Sequence, residues 1–256
     1  MNSGETVGFV AVRAAWSLHD RNVVSSEVVP VHSDPRVVTR VDDVRVDIVR
    51  LASLTLDAIA SGTEALIDGD LEGADRVVAD DDAIDSLRHA VEDQCLRIFE
   101  LPGIALPDLR FVGVAMRVAH ELERSADLMV NVAKATWRLF PRRLDATATS
   151  LVHRLGRQVG VQLRVAVNAF ADRDPSWAAA LSDMDDTTDE LEKRLFRHVL
   201  EVDGGVVPDD GTVNDAVQLA LVARHYERIG DHAVTIAEQV HFVVTGERTR
   251  GRRARK

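Results

Sequence analysis

The chain has 256 residues, of which 29% are charged and 4% aromatic, and its net charge is −11. That length allows one large domain or two small ones, each with a real core. The aliphatic, aromatic-poor composition suits packed helices better than a sheet-rich fold, although its many valines favour strands. The acidic balance predicts no nucleic-acid partner. The single cysteine, Cys95, rules out an intrachain disulfide framework and points to a reducing compartment. No apolar run approaches the roughly 18–20 residues that cross a bilayer. Met1-Asn2-Ser3-Gly4-Glu5 lacks the basic start of a signal peptide, so a cytoplasmic location is expected.

Residues 1–36 read as an N-terminal extension. Val23-Val24, Val28-Val29-Pro30-Val31 and Asp34-Pro35 show no helical period, and the sequence gives this stretch no role. From Val37 a seam runs through Val41, Val44, Ile48, Leu51, Thr55 and Ala58 at spacings of four and three, which is one stripe of a helix. That helix should stop near Gly69. A second carries Val77, Ile84, Val91 and Ile98 and ends at Leu101-Pro102-Gly103. Pro107 suits the first turn of a third. The third carries Leu109, Val112, Met116, Ala119, Leu122, Ala126, Val130, Ala133 and Trp137, and stops at Phe140-Pro141.

The pattern then repeats. A fourth helix runs from about Leu144 to Phe170 with Leu151, Leu155, Gln162 and Val165 on its seam. A fifth holds Leu181, Met184, Thr188, Leu191, Leu195 and Val202 and closes at Asp203-Gly204-Gly205. A sixth follows Pro208 with Val213, Val217, Leu221, Ile229, Ala233, Ile236 and Val240. Short connections between long amphipathic helices imply antiparallel neighbours. The predicted fold is all-α, two tandem three-helix bundles over residues 37–140 and 141–246. In the tail, residues 247–256, the stretch Arg248–Lys256 holds six basic residues and no acid, which leaves residues 1–247 at −17. It reads as a solubilising terminus, with contact to phosphate groups or anionic lipid as the alternative.

The repeat is explicit. Glu123-Arg124-Ser125-Ala126-Asp127 in the third helix and Glu227-Arg228-Ile229-Gly230-Asp231 in the sixth stand 104 residues apart. The same offset superposes Asp81, Asp85 and Leu87 on Asp185, Asp189 and Leu191 without a gap. Asp81/Asp85, Glu123/Asp127, Asp185/Asp189 and Glu227/Asp231 are therefore four acid-x-x-x-acid pairs. On a helix both members of such a pair project from nearly the same face, one turn apart. Bare, each pair costs about 0.2–0.5 kcal/mol, and a bridging cation reverses that sign. Oxygen donors suit magnesium, calcium, manganese or iron, and zinc is compatible. One pair means little, since 42 acids give roughly seven such spacings by chance. Two pairs per unit, repeated in register, carry the argument. Neighbouring Asp80, Asp82 and Asp186 leave open which acids of the second and fifth helices face the seam.

Tyr226-Glu227-Arg228-Ile229-Gly230-Asp231-His232-Ala233-Val234-Thr235-Ile236-Ala237-Glu238 resembles the second signature of the PhoU family. Leu122-Glu123-Arg124-Ser125-Ala126-Asp127 with Asn131-Val132-Ala133 resembles a diverged first one, and Asp80-Asp81-Asp82-Ala83-Ile84-Asp85-Ser86-Leu87 resembles the family's acidic second helix. The resemblance spans about residues 37–246. It implies two three-helix bundles with pseudo-twofold symmetry. It also implies metal sites (iron, zinc, manganese or magnesium) on the four pairs above. Its functional implication is a negative regulator of phosphate uptake and phosphate-starvation signalling, bridging the phosphate ABC transporter ATPase (PstB-like) and a PhoR-like sensor histidine kinase. Such a protein would be cytoplasmic, held at the inner face of the membrane by its partners, with a homodimer as a further expectation. Ser125-Ala126 departs from the family's Ile-Gly pair, which sets the symmetry of the two sites in question.

A di-iron enzyme would need Glu-x-x-His on two helices. Only Glu238-x-x-His241 has that spacing, and its counterpart begins at Lys134. No phosphate-cradling glycine loop or nucleophile elbow is present, so no enzyme is expected. His225, His232 and His241 read as polar surface or partner-contacting residues. A plain helical scaffold with solvated acidic stripes is the remaining alternative.

Overall fold

The computed structural model describes residues 33–201 and 210–247. They form six helices: α1 (Pro35–Asp68), α2 (Leu71–Phe99), α3 (Leu106–Leu139), α4 (Ala146–Asp172), α5 (Trp177–Glu201) and α6 (Asp210–Thr245). No strand occurs among the described residues. The valines serve helical seams, because burial at period 3.6 outweighs their β preference. Three helix ends carry the residue types expected there. Asp34 accepts a hydrogen bond from the Arg36 amide at 2.8 Å ahead of Pro35. Asp145 accepts from the amides of Thr147 and Ala148 at 2.8 and 2.9 Å. Gly69 closes α1 in the left-handed conformation, φ +56°.

Within each unit every helix touches the other two. The units join through α1 against α4 and α3 against α6. One hydrophobic cluster runs through both, from Val37 and Ile48 in α1 to Leu195 in α5 and Ile236 in α6. The two bundles therefore share a single core. The α1–α4 joint is tight. Gly156 lies so close to Thr63 that a Cβ there would come within 2.5 Å of its Oγ1, and that hydroxyl bonds to the buried Tyr226 hydroxyl at 2.7 Å.

Most seams stand as read. Val37, Val41, Val44, Ile48, Leu51 and Thr55 are buried, as are Val77, Ile84, Val91 and Ile98. The first half of α6 differs. Val213, Val217 and Leu221 are 50%, 50% and 45% exposed, and the buried stripe instead runs through Val222, Tyr226, Ile229 and Ala233. Spacings of four advance about 40° per step around a helix, so the two stripes merge in a sequence reading although they lie on different faces. Leu109 and Trp137, at the ends of α3, are likewise exposed. Helix α4 begins at Ala146, where Asp145 caps it, and not at Leu144. The extension up to residue 32, Val202, the Asp203-Gly204-Gly205 turn and the basic tail from residue 248 lie outside the described residues.

Candidate metal centres

The antiparallel seam between α2 and α3 brings Asp81 and Asp85 together with Glu123 and Asp127. Asp81, Asp85 and Glu123 are half-buried and Asp127 is exposed, whereas Asp80 and Asp82 point to solvent. This resolves which acids face the seam. Burial is the first cause of the shift at Asp81, whose carboxyl is pushed up to about 6, and the charges of Asp127, Asp85 and Glu123 add to it. Glu123 is also raised, first by burial and then by Asp127, against the opposing pull of His120 and Arg88. Its Oε2 is buried without a hydrogen bond, and His120 Nδ1 stands 3.5 Å away. Four carboxylates thus share one field.

The seam between α5 and α6 repeats the arrangement. Asp185 and Asp189 are half-buried on α5, and Asp186 is exposed. Glu227 is only 6% exposed, with Arg224 at 2.6 Å; Asp231 is half-buried. Here the packing differs from the first unit. Gly230 carries no side chain, and Asp185 Oδ1, Thr188 Cγ2 and Gln162 Oε1 approach within 3.2, 3.4 and 3.5 Å of where its Cβ would be. Ala126 holds the equivalent place in α3 and is buried. The substitution of Ala for Gly thus separates the two seams in detail.

Among the described residues, no three His, Cys, Asp or Glu side chains converge into a group that could hold a metal ion. The carboxylates are neighbours in charge without forming a closed coordination shell. Their chemistry nevertheless fits a cation. The donors are oxygen, the buried Glu123 Oε2 lacks a hydrogen bond, and the first cluster's raised carboxyls show that added positive charge there is favourable.

A family model, the PhoU domain, matches residues 48–136 and again 152–240. The chain belongs to the PhoU family. The two PhoU domains begin and end 104 residues apart, the same offset that superposes the acidic pairs. The chain is 35% identical over 209 residues to the phosphate-specific transport system accessory protein PhoU homolog of Zymomonas mobilis, covering 80% of this chain and 86% of that one. It is 30% identical over 201 residues to the Caulobacter vibrioides homolog, covering 78% and 86%. The fold matches the crystal structure of PhoU from Pseudomonas aeruginosa with a TM-score of 0.75 at 28% identity, over 82% of this chain and 99% of that one. It matches the phosphate transport system regulatory protein PhoU from Streptococcus pneumoniae with a TM-score of 0.74 at 26% identity, over 83% and 99%.

Three features of this PhoU-family chain escape the sequence. His232 is not on the surface. It is 6% exposed, its Nδ1 lies 3.0 Å from Ser125 Oγ, and its Nε2 lies 3.8 Å from a Glu121 carboxylate oxygen. His225 is half-buried, and burial first, then Arg228 and Arg138, lowers its pKa. Gln162 accepts the Thr188 hydroxyl at 2.6 Å inside the second unit. The one available signal was a polar residue on an apolar seam, as at Ser125 and Gln162. Cys95 is the small buried hydrophobe its position implies, its thiol pushed up to about 12 chiefly by burial. No helix among the described residues is long and apolar enough to cross a membrane.

Proposed function

We propose that the chain is an accessory regulator of phosphate-specific transport and a negative regulator of phosphate-starvation signalling. In this reading it bridges the transporter's ATPase and a sensor histidine kinase, without catalysis of its own. The names of the relatives support the transport role. The observation that carries the site is the in-register pairing of carboxylates, three of them half-buried in each unit. Asp81, Asp85, Glu123 and Asp127 would hold a cation across α2 and α3; Asp185, Asp189, Glu227 and Asp231 would do so across α5 and α6. Iron, zinc, manganese and magnesium are the candidates. A bound cation supplies positive charge that turns mutual repulsion into a tie between two helices. The protein's own part is to hold the acids half-dehydrated on rigid helices, so that the tie reports on helix spacing.

The regulatory reading is tested by co-purification with the transporter ATPase and the kinase, and by phosphate control after deletion. Constitutive expression of phosphate-scavenging genes supports it; unchanged control with no partner recovered overturns it. The cation reading is tested separately, by bound metal in the purified protein and in the Glu123→Gln and Glu227→Gln variants. A native protein that is metal-free and indifferent to added iron, zinc or manganese leaves the plain helical scaffold.

A further inference from the structure

Charge along the chain is strongly segregated. Residues 128–171 hold seven Arg or Lys residues and one acid, Asp145, in a protein whose net charge is −11. Within α4, from Ala146 to Ala171, there is no acid, where the chain's average would give about four. His153, Arg154, Arg157 and Arg164 all lie on the exposed face of α4. Positions 153, 157 and 164 fall on one stripe of the helix. No hydrogen bond or ion pair within the described residues engages these three arginines or His153. The stripe is a bank of uncompensated positive charge.

That bank borders a groove. Between α1 and α4 a cavity of about 270 Å³ is floored by Ile59, Thr63, Gly156 and Gly160, with half-exposed Val161 along it. Gly160 opens it, since α4 presents backbone there where a side chain would otherwise fill the space. A Cβ at Gly160 would meet only Ile59 Cγ2, at 3.9 Å. The groove belongs to the α1–α4 layer, away from the seams that carry the carboxylates.

We propose that this α1–α4 groove docks an acidic amphipathic helix of a protein partner. Charge complementarity selects the partner's acids, and the apolar floor selects its aliphatic face. Glu64 on the opposite bank sets the orientation, because it repels acids there and steers them over α4. A flat anionic membrane fits poorly. It would press against the exposed Asp57, Glu64 and Asp68 of α1 as well as the α4 arginines. A nucleic-acid phosphate chain meets the same acids and gains nothing from an apolar floor. The proposal stands on charge and shape, and holds whether or not the carboxylate clusters bind cations.

The test uses the full chain and a fluorescent synthetic peptide with Leu on one helical face and Glu on the other, read by anisotropy at low ionic strength. Binding is expected, weakened at least about tenfold by the double variant Arg157→Glu/Arg164→Glu, and weakened independently by Val161→Ser. An unchanged thermal transition shows that the variants fold. The proposal is overturned if the peptide does not bind, if the charge reversal leaves affinity unchanged, or if a scrambled Leu/Glu peptide without an apolar face binds equally well. It is also overturned if phosphatidylglycerol vesicles or single-stranded DNA bind the chain and displace the peptide.

Discussion

Ser125 on α3 and His232 on α6 meet at 3.0 Å across the joint between the two repeats. The serine hydroxyl donates to the Glu121 carbonyl at 2.7 Å, so its oxygen is left to accept, and His232 must carry its proton on Nδ1. Nε2 then faces the Glu121 carboxylate at 3.8 Å. The departure from the family's Ile-Gly pair thus places a polar link where the second unit has the buried Ile229. Ser125→Ala leaves a buried imidazole N–H without this acceptor. The expected cost is about 1–2 kcal/mol, a fall in Tm of about 2–4 °C for each kcal/mol at this size. Thr39→Ala removes an exposed hydroxyl bonded to the Pro35 carbonyl and is expected to stay within about 0.5 kcal/mol. Equal midpoints for the two variants in urea would show that the link contributes nothing.

The α2–α3 carboxylates give stability a defined pH dependence when cations are removed. Asp81 keeps its proton up to about pH 6 in the folded protein, against about 4 in an unfolded chain. Above pH 6 both states are ionised, and the folded state carries the full cost of the repelled charge. Between about pH 6 and 4 the folded state takes up a proton that the unfolded chain does not, so stability rises as pH falls through this window. Solvent screening at this half-exposed site holds the gain to about 1 kcal/mol. Asp81→Asn should therefore stabilise chelator-treated protein at about pH 7 and flatten the slope between about pH 6 and 4. A denaturation series at several pH values reads both effects, and a variant whose slope matches the native protein's removes Asp81 as the cause.

Gly230 is expected to matter more for the second carboxylate seam than for the fold. Ala at this position gains about 1 kcal/mol of helix propensity. Its Cβ would also press on Asp185 Oδ1 from 3.2 Å and on Thr188 and Gln162 beyond it, a strain of about 1–3 kcal/mol. The net effect on stability is a loss of about 0–2 kcal/mol. Displacing Asp185, however, should weaken manganese or zinc binding at this seam, while Ala126→Gly in α3 should leave binding intact and cost helix propensity together with one buried methyl group. Calorimetric titration of the two variants separates them; equal affinities would show that Asp185 does not take part.

How much of this was legible beforehand depends on the kind of interaction. A heptad such as Val77, Ile84, Val91 and Ile98 places α2, because burial repeats at a fixed angle. The gapless offset between Glu123 and Glu227 places the acids in register, because tandem repeats keep their spacing. Which of Asp80, Asp81 and Asp82 faces α3 depends on the rotation of one helix against another, and charge alone says nothing of that. The Ser125–His232 link joins residues 107 apart through the α3–α6 joint. No local pattern encodes such a contact. The exposed Val213 and Val217 show the limit from the other side: an apolar stripe need not find a partner among the described residues.

Arg173 offers the sharpest check on the backbone, because it stands 104 residues after Gly69 and ends α4 as Gly69 ends α1. Both are left-handed, at φ +56° for Gly69 and φ +53° for Arg173. Glycine adopts this conformation freely, and another residue pays about 1 kcal/mol. The Arg173 guanidinium offsets that cost. Its carbon lies 4.5 Å from the centre of the buried Phe111 ring, and Nη2 lies 3.3 Å from Asp108 Oδ1. Such contacts contribute about 1 kcal/mol over the ring and a few tenths in the ion pair. Arg173→Gly loses the contacts but relieves the backbone, and should be close to neutral. Arg173→Ala loses the contacts and keeps the strain, and should cost about 1–2 kcal/mol. The expected order, Gly above Ala, is the reverse of helix propensity. Urea midpoints for the two variants decide it, and Ala at or above Gly would mean that this cap is not left-handed in solution.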